Sequence, residues 1–398
     1  MSGYVNDSLP PMKIAIIGQK GVPNIFGGVE AHVTELATRL VRAGHTVYGY
    51  SRNWYTPKGT RMFNGIRIVR LPSIRTKNLD AITHTFISAI HAVLFVRPDV
   101  YHFHGVGPAL LSFIPRIFAP FAKVVVTFHC VDATHEKWGK FAQFMLAAGE
   151  RAAVTFPHET IVVSRVLKAY TKEKYGAKVT YIPNGITPRR GAADPILLEP
   201  LKLEPNGYIA MVSRLVRHKG AHTLITAWKK AKAENAKVFG DLKLAIIGGS
   251  AFTDDYVKEL HAMAEGDDSI VFTGFQNGEA LESLFMGARF IAHPSVSEGL
   301  PICILEAMSY GKAVVGSDIP EILEVIEGDH GVPFKAGDAS ELAVKITELV
   351  ADPMLSASIG HVAREYVETD YNWDDIAVKT EHVYSPVPVT VNAKLAIE

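Results

Sequence analysis

The feature that most constrains this chain is an alternation of short apolar runs with helix-spaced apolar residues, repeated in two blocks with one lapse between them. Lys13-Ile-Ala-Ile-Ile-Gly18 is an apolar run closed by glycine, the pattern of a buried parallel strand. After a Gly-rich loop, Val29, His32, Val33, Leu36, Ala37 and Leu40 recur at helical spacing until Gly44 ends the pattern. Further strands are predicted at Thr46–Ser51, Val100–Phe103, Val124–Phe128, Thr160–Val163 and Val179–Ile182. Helices are predicted over Ala81–Val96, near Ala109–Phe118, over Lys137–Ala153 and at Arg165–Tyr175. This is the β-α-β rhythm of a doubly wound sheet.

Thr187 to Gly207 carries four prolines and no clear period, and reads as a linker. A second alternation follows. Its strands are predicted at Tyr208–Val212, Leu244–Ile247, Ile270–Thr273, Phe290–His293 and Ala313–Gly316. Its helices are predicted near Ala221–Glu234, Tyr256–Ala264, Gly278–Met286 and Pro301–Tyr310, then at Ser340–Val350, Met354–Glu368 and Trp373–Tyr384. The 398 residues suit two domains rather than one core. We divide them as 12–186, a linker at 187–207, 208–372, a last helix at 373–384 and a tail at 385–398. Two open sheets side by side predict a cleft at the carboxyl ends of their strands, so the loops after strands should carry the chemistry.

Composition narrows the class. Apolar residues at 48% and charged residues at 21% exclude a disordered chain. Lys plus Arg equals Asp plus Glu at 41 each, so only local charge can bear on partners. Two cysteines, Cys130 and Cys303, imply no disulfide framework and suit a reducing compartment. Met1 to Pro11 lacks the pattern of a signal peptide. Phe86–Val96 is too short to span a membrane, and Leu110–Val126 is broken by Pro115, Arg116, Pro120 and Lys123. A cytoplasmic location is expected.

Three loops carry candidate chemistry. Gly18-Gln-Lys-Gly21 to Gly27-Gly28-Val-Glu30 follows a strand and opens a helix, so its amides could receive an anion. Its spacing is not that of the dinucleotide fingerprint, and Tyr50-Ser51-Arg52 supplies no ribose-binding acid. The segment Ser213-Arg214-Leu-Val-Arg217-His-Lys219-Gly220 places two cations five apart where a strand turns into a helix, able to converge on a diphosphate. Arg217 reads as a solvated charge. In Glu298-Gly299-Leu300-Pro301-Ile302-Cys-Ile-Leu-Glu306, Pro301 fits the first helical position. That leaves Glu298 in the loop beside free amides at Gly299, Leu300 and Ile302. Glu306 falls more than a turn into the helix, on the face of Ile302, where its carboxylate can accept both ribose hydroxyls. Ile302, Leu305 and Met308 read as buried, so an acid among them needs a partner.

Arg214-x4-Lys219 followed by Glu298-x7-Glu306, with Gly311-Lys-Ala-Val-Val-Gly-Ser after it, resembles the donor half of glycosyltransferase family 4. The opening Gly-Gln-Lys-Gly-Val-Pro with Gly-Gly-Val-Glu, Val163-Ser164 and Tyr181-Ile-Pro-Asn-Gly185 resembles its N-terminal half. The likeness covers about residues 12–384 and is closest to the bacterial rhamnosyltransferase-like branch. It implies the GT-B fold: two Rossmann-like domains, the first on the acceptor side, the second binding the nucleotide sugar, with a C-terminal helix crossing back onto the first. It implies that Arg214 and Lys219 bind the donor diphosphate, Glu306 the ribose, and Glu298 and the Gly299–Ile302 turn the donor sugar and a phosphate oxygen. Gly27 and Gly28 would bring backbone near the phosphate and acceptor. Thr127-Phe-His129 matches the position of a histidine near the reacting sugar, with Cys130 where glycine is usual.

The implied reaction is retaining sugar transfer from a nucleoside-diphosphate donor to a glycan or lipid-linked glycan, as in polysaccharide assembly. Rivals of the same architecture are a nucleotide-sugar 2-epimerase and a non-catalytic binding subunit. No cofactor and no nucleic-acid partner are expected. His102, His104, His129 and His135 with Asp132 show no compact ligand spacing, no Asp-x-Asp is present, and no metal is expected; His102 and His104 read as lining or packing. Peripheral contact with a membrane is expected from Phe113-Ile-Pro-Arg116-Ile-Phe118-Ala-Pro-Phe121-Ala-Lys123, which mixes apolar side chains and cations.

Overall fold

The computed structural model describes residues 10–76, 79–131 and 140–385. The tail beyond Ser385, Asp132 and His135 lie outside them. The described chain forms two compact units. One runs to Val162 and takes in Tyr170–Ile182 and the chain from Ala377; the other joins Val163–Ala169 to Pro183–Ile376. The chain returns to the first unit inside its last helix, Trp373–Val383.

The first unit holds an eight-stranded sheet: β1 Lys13–Ile17, β2 Thr46–Arg52, β3 Met62–Phe63, β4 Ile66–Leu71, β5 Val100–His104, β6 Lys123–Phe128, β7 Glu159–Val162 and β8 Thr180–Tyr181. The order is β3-β4-β2-β1-β5-β6-β7-β8, parallel except for the antiparallel β3–β4 pair. The second unit holds six parallel strands: β9 Tyr208–Val212, β10 Lys243–Ile247, β11 Ile270–Gly274, β12 Ile291–His293, β13 Val314–Ser317 and β14 Val332–Phe334, in the order β11-β10-β9-β12-β13-β14. Each is a doubly wound sheet whose first strand, β1 or β9, has later strands added on both sides. The loop that leaves such a strand sits at the topological switch point, where open sheets bind ligands. Both sheets are closed by apolar layers. Ala15, Ile17, Tyr101, Phe103 and Val124 are buried in the first core. Ile209, Met211, Trp228, Leu244 and Phe290 are buried in the second, where the Trp228 indole N–H reaches Ser269 Oγ at 3.0 Å.

Several elements differ from the pattern reading. β3 and β4 were not expected; they form a hairpin around Asn64-Gly65, both at positive φ (47° and 80°). Asn-Gly is the residue pair such a two-residue turn favours. β14 and the helix Pro320–Ile326, of three and seven residues, are too short to show a period and were not expected. The helix expected over 81–96 is α-helical only at Asp80–His91 and continues as a π-helical turn at Ala92–Val96. The helix expected near 109–118 is two pieces, Val106–Ala109 and Phe113–Phe118. The linker contains a helical turn, Pro195–Leu198, capped by the Asp194 carboxylate on the Ile196 amide.

Candidate active site

In the second unit, the switch-point loop and the loop after the adjacent strand β12 are laced together. His218 O accepts the Val296 amide at 2.8 Å and the Ser295 hydroxyl at 3.1 Å. Gly220 adopts φ 75°, and a Cβ there would sit 2.2 Å from Pro294 O, so only glycine admits this approach. The loop after β10 closes the third side: Leu215 N donates to Gly249 O at 2.9 Å, and Thr253 Oγ1 donates to Leu215 O at 2.6 Å.

This lacing brings Lys219 and Glu298 into an ion pair in which the ammonium meets Oε1. The same oxygen takes a hydrogen bond from His293 Nε2 at 2.7 Å. The three side chains are 13%, 7% and 1% exposed, so the cluster is nearly sealed from water. Burial pushes the Glu298 carboxyl up, but the Lys219 charge and His293 outweigh it and hold Glu298 well below the usual carboxylate range. Burial pushes His293 down; Cys303, whose Sγ lies 3.5 Å from Nδ1, and Glu298 outweigh it and raise His293 to about 9. Arg214 is exposed, and its guanidinium makes no hydrogen bond or ion pair among the described residues. Arg217, also exposed, pairs with Glu259 and lies over the Tyr256 ring at 4.8 Å, consistent with a surface charge.

The helix after Glu298 runs Ile302–Ser309. Pro301 is its N-cap, with ψ 105°, rather than its first helical residue: its φ of −73° suits either position, but the extended ψ places it before the first turn. Among the described residues the Gly299, Leu300 and Ile302 amides donate no hydrogen bond, and Leu300 O is held by Asn184 Nδ2 at 2.9 Å. Unpaired amides at a helix start suit an anion. Leu305 and Met308 are buried, while Ile302 and Glu306 are half-buried on the neighbouring face.

The first unit's switch-point loop is built differently. Gly27, at φ 112°, is the N-cap of the helix Gly28–Arg42. A Cβ there would lie 2.0 Å from Glu30 Oε2, because Glu30 folds back to accept the Lys20 amide at 2.8 Å. Behind the loop, at the ends of β5 and β6, stand buried histidines. His104 Nδ1 and His129 Nε2 are 3.1 Å apart, and His32 stacks edge-on against both. His102 is fixed by Tyr384 OH and Thr127 Oγ1, each at 2.7 Å. Burial, then the neighbouring rings, pushes His104 and His129 well below the ordinary imidazole value and His102 to about 3. His102, His104 and His129 are therefore neutral at pH 7. The ligand atoms of His32, His104 and His129 lie within 4.8 Å of one another, a grouping that linear spacing did not reveal because His32 comes from a helix.

The structure thus places Arg214, Lys219, Glu298, Gly299, Leu300, Pro301, Ile302 and Glu306 on the two laced loops and helix of the second unit, and Gly27, Gly28 and His129 around the switch point of the first. His293, Cys303, His32 and Glu30 were not singled out from sequence. For His293 the signal was present: a polar residue ends the otherwise apolar run Phe-Ile-Ala-His before Pro294.

Residues 198–366 match the family model "Glycosyl transferases group 1", and residues 26–190 match "Glycosyltransferase Family 4". The chain therefore carries the paired domains of these glycosyltransferases, in the GT-B fold. It is 28% identical to alpha-maltose-1-phosphate synthase of Mycobacterium tuberculosis, over 94% of this chain and all of that one. It is 26% identical to an uncharacterized glycosyltransferase of Methanocaldococcus jannaschii, over 94% and 98% of the two chains. Among solved structures, Anabaena HepE in complex with UDP and glucose superposes with a TM-score of 0.77 at 21% identity, covering 94% of this chain and 100% of that one. Sucrose-phosphate synthase from Thermosynechococcus elongatus superposes at 0.78 and 22% identity, covering 94% and 98%.

Proposed function

We propose that the protein is a retaining glycosyltransferase of the family 4, rhamnosyltransferase-like kind, moving a sugar from a nucleoside-diphosphate donor to a glycan or lipid-linked glycan in bacterial polysaccharide assembly. The observation that carries this is the charged set Lys219–Glu298–His293 beside exposed Arg214 and the unpaired amides of the Glu298–Ile302 turn. In the reaction the bond between the sugar C1 and the β-phosphate oxygen breaks, and the acceptor hydroxyl attacks on the same face. Its proton passes to the departing phosphate oxygen. Arg214, Lys219 and the helix N-terminus stabilise the charge growing on the diphosphate. Glu298 Oε2, which takes part in no hydrogen bond among the described residues, is available to sugar hydroxyls, and the Glu306 carboxylate would accept from the ribose. UDP and UDP-glucose, bound by the Anabaena relative, are the first donors to try.

Leaving-group charge has two cations to meet it, so turnover survives EDTA; complete loss restored by one divalent ion contradicts this. Incubation of donor sugars with and without glycan acceptors decides the reaction. New glycan with retained anomeric configuration supports transfer. Donor consumed without acceptor indicates an epimerase, and binding without turnover a non-catalytic subunit.

A cytoplasmic enzyme touching the membrane face is part of the same reading. No helix among the described residues is long and apolar enough to cross a membrane. Ile114 packs into the core, but Ile117, Phe118 and Phe121 are 61%, 65% and 102% exposed, and Phe95, on the π-helical turn that packs on the same core, is 73% exposed. Of the two cations expected there, Arg116 is exposed, whereas Lys123 is only 11% exposed and lies 4.0 Å from Glu159. Flotation with liposomes containing anionic lipid at low salt tests the contact: binding weakened by Phe118→Ser with Phe121→Ser supports it, and wild type that stays unbound contradicts it.

A further inference from the structure

Two positive groups meet one oxygen of a nearly buried carboxylate. Lys219 and His293 both contact Glu298 Oε1, from different elements: the switch-point loop and the end of β12. One cation would satisfy the carboxylate, and a second is costly to bring into the same dry site unless it has a use. The proposed function gives Lys219 a second partner, the donor diphosphate. Were Lys219 the sole partner of Glu298, its turning to phosphate would leave a buried carboxylate uncompensated.

We propose that His293 is a positioning residue that holds the counter-charge of Glu298 when Lys219 engages a bound diphosphate. This rests on the nucleotide-sugar reading above. The geometry fixes the ring for the task. Nε2 faces the carboxylate and so carries a proton. Nδ1 faces Cys303 Sγ at 3.5 Å, where it accepts from the thiol when the ring is neutral and donates to sulfur when protonated. The groups around it are Lys219 on the switch-point loop, Glu298 on the following loop and Cys303 on the helix Ile302–Ser309. Glu321, on the helix Pro320–Ile326, feels the charge of Glu298. With His293 raised to about 9, the ring is charged at neutral pH and loses its proton in mild alkali. Lys219 then stays with Glu298 and diphosphate binding weakens.

The test is calorimetric titration of UDP, ADP and GDP from pH 7 to 9.5, pursued with whichever binds best. Wild-type affinity should hold to about pH 8.5 and then fall, approaching tenfold per pH unit above the His293 transition. His293→Gln keeps an N–H for Glu298 but no charge; it should bind on the order of tenfold more weakly at pH 7.5 and lose the alkaline fall, while His293→Leu reports what packing alone requires. Wild-type affinity that is flat to pH 9.5, or a folded His293→Gln protein that keeps both wild-type affinity and profile, overturns the proposal. Since the wild-type profile needs no variant, misfolding of both variants leaves the test intact. A wild type that binds none of the three nucleotides overturns the nucleotide reading itself.

Discussion

The two switch-point loops occupy equivalent places in two similar sheets and are chemically unlike. Behind the loop of the first unit stand His32, His104 and His129, buried and ring against ring, with His104 and His129 neutral. In the second, Lys219 on the loop itself pairs with Glu298, and buried His293 joins them from the end of β12, an ionic cluster nearly sealed from water. The same topology therefore yields one site that presents neutral hydrogen-bonding groups and another that presents compensated charge. Under the proposed function, the second would take the diphosphate and the first a hydroxyl-rich, uncharged acceptor. The fold supplies the position; the side chains at the strand ends decide what it serves.

The largest effect expected from this contrast is on stability. Glu298→Ala removes the carboxylate from between two cations and should cost ~3–5 kcal/mol in urea unfolding, as breaking buried pairs does. A loss below about 1 kcal/mol would show that the charged cluster is looser than its geometry.

Acid should separate the units next. A histidine whose folded pKa is depressed stabilises fully above its unfolded value near 6.5 and loses that contribution as pH falls toward the folded value. His102, brought to about 3, and His84, brought to about 4, both by burial first, place this loss in the first unit. By pH 5.5 it should reach about 1 kcal/mol per such histidine. His293, raised instead, contributes fully below 6.5 and loses its share only as pH rises through about 9. Hydrogen exchange at pH 5.5, 7 and 9 should show the first unit's sheet opening more in acid; equal loss in both sheets erases the distinction.

Lys219→Ala should lower turnover at subsaturating donor by roughly 10- to 100-fold, the worth of a charged hydrogen bond. Arg214→Ala should weaken diphosphate binding by about tenfold while leaving stability within ~0.5 kcal/mol, since its guanidinium holds nothing else. Unchanged binding in either variant would remove that residue from the site.

Sequence disclosed the parts of the molecule governed by local rules. Continuous apolar runs marked most central strands within a residue or two, because strands buried on both faces need no alternation. Outlying elements escaped: in Ile66–Leu71 the apolar run is broken by Arg67 and Arg70, and its signal was the Asn64-Gly65 turn rather than hydrophobicity. The motif spacing placed Arg214 and Lys219 in one loop after a strand, Glu298 in another and Glu306 in the helix that follows it, yet gave no hint that Lys219 and Glu298 touch. That contact depends on Gly220 closing against Pro294, a relation across two loops. His293 and His32 were missed for a related reason: His293 meets Lys219 through strand order, and His32 reaches the histidines after β5 and β6 from the helix Gly28–Arg42, relations that linear spacing does not encode.

Under the proposed function the second unit holds a nucleoside diphosphate through the Ser213–Gly220 loop and the Glu298–Glu306 segment. Titrating UDP, ADP and GDP by calorimetry into wild type and Glu306→Ala tests it most directly. Wild type should bind at least one of them, and Glu306→Ala should bind that nucleotide about tenfold more weakly, because the ribose hydroxyls lose their acceptor. No binding by wild type, or equal affinity in the two proteins, would contradict it.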